Sequence, residues 1–207
     1  MATIEGAVRN GTINAQATCG INQLSEQLIA QGLPPYTESV RKGTAWATMS
    51  VTAVAGLVVR PTTVCAFELW NGYNTGGPSL IIDRLFYFNL VSTAVNEGWS
   101  GWAQVTASKT TPSSASLVVR GASGKPYSGS AVNAIGTTVA DSGWFPWTNQ
   151  QVSSGAGVTP YGCAVANVEG RIIVPPGSSL CLHVVASVVG QTFTQGASWF
   201  EETITMV

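Results

Sequence analysis

The chain has 207 residues, a formal net charge of −1, and only 9% Asp, Glu, Lys and Arg, against about 25% in ordinary globular proteins. A pI near 5.8 and the lack of any basic run exclude a nucleic-acid footprint. Although mean hydropathy is +0.24, no window of about 18 apolar residues marks a membrane span. So few charges leave little to hold copies apart in solution. Two surfaces fit that balance: a monomer covered in Ser, Thr, Asn and Gln, or a molecule covered by other protein in a permanent assembly. The second is the reading adopted here. The length suits one large domain with a sizeable core. The opening MATIEGAVRNGTINAQ has no charged stretch leading into an apolar one, so no secretory signal is expected.

Residues 1–43 read as an extended arm carrying one short helix. Ile21, Leu24, Leu28 and Ile29 recur at helical spacing, Asn22 or Thr18 can cap the start, and Gly32 before Pro34-Pro35 ends it. That helix suits either packing on its own domain or docking on a neighbouring subunit. The next stretch, LPPYTESVRKGTAW, concentrates Glu38, Arg41 and Lys42 between Tyr36 and Trp46. It reads as a solvated linker or as an inter-subunit contact built on an Arg–carboxylate pair.

From residue 44 to the end the pattern is β. Strands are expected at Thr44–Ser50, Ala53–Val59, Thr63–Trp70, Ser79–Ala94 and Trp99–Ala107, with a bulge or pairing site at Asp83-Arg84. Residues 109–162 are rich in Ser, Gly, Ala and Thr and form a long excursion, with strands expected at Leu117–Arg120 and Ala134–Val139. It suits a binding loop or two ordinary strands of the sandwich. The last stretch gives Arg171–Val174, a Pro175-Pro176-Gly177 turn, Ser179–Val189 and Trp199–Met206. In the first of the two long strands Leu180, Leu182, Val184 and Ala186 share a face, which predicts a sheet with one dry side. About eight to ten strands at these intervals make an antiparallel sandwich or barrel.

The residues of known chemistries are sparse. His183 is the single histidine, two residues from Cys181 on a strand, and reads as structural. Cys19, Cys65, Cys163 and Cys181 are scattered, and Cys65 and Cys181 are expected as buried free thiols. Glu68, Asp83, Glu97 and Asp141 could serve a glycosidase only if two of them came close together, which no spacing demands. No catalytic residue, metal or cofactor is expected.

LPPYTESVRKGTAW, FELWN at Phe67–Asn71, SLIIDRLFYFNL at Ser79–Leu90, IIVPPGSSL at Ile172–Leu180 and the late WFEE at Trp199–Glu202 together resemble structural proteins of tailed bacteriophages. These are single jelly rolls that decorate or complete the virion. The resemblance spans residue 33 to the end but leaves out the arm and the excursion. It implies an all-β fold, an antiparallel β-sandwich of jelly-roll type with a short N-terminal helix and extended arm. It also implies a homotrimer, assembled in the host cytoplasm into the virion, that binds the major capsid protein or other virion proteins. Tyr36, Arg41, Trp46, Trp199 and Glu201 are the contact candidates. The alternative is a tail or fibre-tip module that recognises host glycan, with Trp144 and Trp147 as stacking residues.

Overall fold

The computed structural model describes residues 37–91, 97–107, 120–121, 124–152 and 162–204. The helix expected over residues 21–32 lies outside them. A short helix, α1 (Thr37–Lys42), forms within the charged stretch that reads as a linker or a contact, and Gly43 ends it with a φ of 76°.

The unit Lys42–Val207 is a two-layer antiparallel sandwich. Its strands are β1 (Ala45–Met49), β2 (Val54–Ala55), β3 (Val64–Asn71), β4 (Ser79–Val91), β5 (Glu97–Thr106), β6 (Arg120–Gly121), β7 (Ala131–Thr138), β8 (Phe145–Val152), β9 (Cys163–Val174), β10 (Ser179–Ala186) and β11 (Thr192–Glu202). The first sheet runs β6-β1-β11-β4-β9, with β2 also on β11, and the second runs β7-β3-β10-β5-β8. Successive long strands mostly change sheet, so neighbours in space are distant in sequence.

Between the sheets lies a core that includes Phe67, Leu69, Leu180 and Leu182 from one layer and Ile82, Leu85, Phe193 and Trp199 from the other. Tyr87 crosses it. Its hydroxyl donates to the Trp102 carbonyl at 3.1 Å, and its ring lies against Gly101, where an added Cβ would sit 2.6 Å from it. Glycine is the residue that lets the ring pass. At one end Asn71 ties the loops: its amide donates to the carbonyls of Pro78 and Val174 at 3.0 and 2.9 Å. Nearby, Gly177 takes the positive φ that the Pro-Pro-Gly turn needs.

Several expectations change on contact with the fold. Ala53–Val59 is not a full strand. Only Val54–Ala55 pairs, and Leu57 makes a single parallel bridge to Val185. Part of the run lies against the sandwich, where a Cβ on Gly56 would meet the Phe193 ring at 2.9 Å, while Val58 and Val59 stay exposed. The described part of the excursion supplies β6, β7 and β8 to the sandwich, while residues 109–119, 122–123 and 153–161, with the expected Leu117–Val119, lie outside the described residues. β9 begins at Cys163, eight residues before the expected start at Arg171. β11 runs Thr192–Glu202, so it starts earlier and ends earlier than expected. Asp83 is a bulge: β11 passes from Ser198↔Arg84 to Trp199↔Ile82 and skips it.

The expected single dry face of β10 is also corrected. Leu180, Leu182, Val184 and Ala186 are buried as expected, but so are Ser179, Cys181 and His183 on the opposite face. Part of their cover is the β7–β8 connection. Gln104 donates to the Ala140 carbonyl at 2.9 Å, Ser142 N–H donates to Gln104 Oε1 at 2.8 Å, and Ser142 Oγ donates to Thr106 Oγ1 at 2.9 Å.

Candidate functional site

The nominated residues fall into three places. Tyr36 lies outside the described residues, and Arg41 is an exposed member of α1. Trp46 and Trp199 are direct cross-strand partners in β1 and β11, and both are buried in the chain's own core. The Tyr127 ring meets Trp46 edge-on, with centroids 4.8 Å apart at 89°, and Trp199 at 6.2 Å and 73°. Beside them Glu201 accepts from Tyr127 at 2.6 Å, from Tyr73 at 2.8 Å and from the Trp199 indole at 3.3 Å. Burial, then the Glu201 carboxylate, raises the Tyr73 phenol to about 12 and raises Tyr127 still further. This knot ties two loops to the terminal strand. Trp46 of the entry segment and the pair Trp199 and Glu201 of the last strand come together here, with Tyr73 and Tyr127 as partners that no local pattern signals.

Trp144 and Trp147 separate. Trp144 is only 4% exposed and packs on the outer side of the second sheet, in a small cluster with Cys65, Val139 and Cys181. Its indole donates to the Thr62 carbonyl at 2.9 Å. Cys65 and Cys181 are free and buried, as their strands predict. The hydrogen bond with Cys65, with burial, pushes the Cys181 thiol well above its ordinary range. On the same face Glu68, 1% exposed, accepts from Ser179 Oγ at 2.6 Å. His183, also 1% exposed, accepts the Val184 N–H at Nδ1 from 2.9 Å, and burial lowers its pKa. These groups form an internally bonded layer. Asp141 is occupied elsewhere, in a two-point pair with Arg60 at 2.9 and 3.1 Å that lowers its pKa. Among the described residues no three of His, Cys, Asp and Glu group as metal ligands would.

Trp147 turns the other way, against the main core, and helps line a cleft of about 280 Å³ between β5, β8 and β9. Phe145 on its rim is 67% exposed. Arg171 lies on the far wall with its guanidinium 5.6 Å from the centre of the Trp147 ring. A local distortion puts it there. The β4–β9 register passes from Ile82↔Ile172 to Arg84↔Asn167, so Val168–Arg171 stand opposite Asp83 alone. Glu169 and Gly170 take left-handed φ values of 54° and 78° to make that excursion. Arg171 then holds it, donating from Nε to the Val168 carbonyl at 2.9 Å and from Nη2 to the Asn167 carbonyl at 2.7 Å. The one sequence signal was Glu169-Gly170, which breaks the alternation of β9. Neither Arg171 nor Phe145 was nominated from sequence. Comparison with protein-family models, with curated proteins and with solved structures found no match to this chain.

Proposed function

We propose that this chain is a non-enzymatic structural protein of a bacteriophage virion. In this reading it is a capsid decoration or minor head protein that works as a homotrimer, binding and stabilising the shell. The observation that carries the reading is the surface. A chain with only 9% charged residues exposes Val51, Val58, Val59, Val64, Val165 and Val189 to solvent. Interface cores are depleted in charge in the same way, and a net charge of −1 gives copies little mutual repulsion. The strand order supports the jelly-roll form of the proposal. Setting aside β2 and the flanking β6 and β7, the sheets read β1-β11-β4-β9 and β3-β10-β5-β8. That is an interleaving of eight strands over two layers, an architecture used in capsid and lectin domains.

The work is mechanical in this account. Permanent interfaces of this kind bury upwards of about 2,000 Å², enough to clamp neighbouring shell subunits against internal pressure. Cryo-electron microscopy of virions from the phage that encodes the chain tests it. Density fitting this sandwich at three-fold positions on the head is the expected result, and virions that lack the chain overturn the proposal.

A further inference from the structure

We propose that the cleft between β5, β8 and β9 binds a carboxylate-bearing pyranose, the hexuronic acid class of acidic polysaccharides, with Arg171 pairing the carboxylate, Trp147 backing its guanidinium and Phe145 supporting the ring. The reading goes beyond the virion role and does not depend on it. Charge selects the ligand. Arg171 spends Nε and one Nη2 proton on backbone carbonyls, and its remaining N–H groups meet no carboxylate among the described residues. A guanidinium fixed in this way loses little freedom when it pairs with a planar carboxylate. The other polar lining is already committed: both ends of the Gln104 amide and the Ser142 hydroxyl bond within the chain. Discrimination therefore falls to the one cation.

Shape selects the ring. The exposed Phe145 offers an aromatic face of the kind that stacks on sugar C–H groups, while Trp147, with Arg171 over its ring, backs the guanidinium. At about 280 Å³ the space lies just below the usual range for small-molecule pockets of roughly 300–1,000 Å³. It admits one ring and is too small for a folded peptide segment. Glu169, a non-glycine residue at a left-handed φ of 54°, puts strain into the edge strand close to the point that presents Arg171, where local strain commonly marks a built site.

Isothermal titration of the full chain with methyl glucuronide, methyl glucoside and a short Asp-rich peptide tests the assignment. The expected result is saturable glucuronide binding, at least about tenfold tighter than glucoside, the effect of one charge-assisted hydrogen bond. Arg171→Gln abolishes that preference, and Phe145→Ala weakens both sugars. Equal affinity for the two sugars, binding of neither, or tighter binding of the peptide overturns the proposal. Because Arg171→Gln also frees two bulge carbonyls and can unfold the edge, the wild-type comparison and Phe145→Ala decide the question without it.

Discussion

In the first sheet β9 buries every second residue from Ala164 to Val168 and leaves Cys163, Val165 and Asn167 exposed, while in the second sheet β10 buries Ser179 through Val184 without a break. Both strands turn successive side chains to opposite faces. The difference lies in what stands outside them. Across β9 the outward side chains meet solvent, so the alternation of faces becomes alternation in burial. Over β10 the β7–β8 connection adds a third partial layer, and the polar side chains beneath it bond to each other instead of to water. Period 2 therefore reports which face is apolar, and burial of the other face is a separate fact set by connections far away in sequence.

The sharpest way to break this contrast is to remove the cover. Trp144→Ala opens the small cluster over Cys65 and Cys181 and frees the Thr62 carbonyl. A loss of about 3–5 kcal/mol is expected, whereas Phe145→Ala next to it changes stability by no more than about 0.5 kcal/mol. Urea unfolding of the two variants checks the pair. Equal losses would mean that Trp144 is not a lid.

The next effect belongs to the polar layer itself. Ser179→Ala removes the 2.6 Å hydrogen bond to the buried Glu68 carboxylate, which costs about 1.5–3 kcal/mol. Ser198→Ala on the first sheet, whose bond to Asp83 is long at 3.4 Å, is expected to be nearly silent in the same unfolding series.

Two groups titrate with opposite sign. Burial holds the His183 imidazole of the second sheet below its ordinary 6.5. The unfolded chain then takes up the proton first, so this contribution is complete above pH 6.5 and drains away as the pH falls through the folded value. The knot on β11 acts at the other end of the scale. Tyr73 is raised from 10.0 to about 12, so its contribution is complete below pH 10.0 and is lost as the pH rises toward 12. Thermal melts across pH should show both limbs, with His183→Gln reducing only the acid one and Tyr73→Phe only the alkaline one, which Tyr127 keeps in part. The smallest expected effect is on the solvated face of β9. Val165→Ser changes monomer stability by less than about 0.5 kcal/mol, yet if that face meets companions it lowers the apparent mass in solution.

The same reasoning explains what could be read in advance. Strands such as Val64–Asn71 and Ser79–Val91 were legible because β-branched and aromatic residues alternate between turn-forming clusters. The front of β9 was missed because CAVANVEG places small residues on the buried side, where Ala164 and Ala166 pack beneath larger neighbours. β8 was hidden by Pro146, which usually argues against a strand, although a register shift beside its partner Trp102 accommodates it here. The cleft was beyond reach for a different reason. Trp147 and Arg171 are distant in sequence, and only the chain crossing between sheets sets one ring under the other's charge.

The account rests on the idea that so weakly charged a sandwich is made to be covered by its companions. Multi-angle light scattering of the purified chain at micromolar concentration tests that most directly. A mass of three chains that persists on dilution is the predicted result, and a single-chain mass holding across the same range would contradict it.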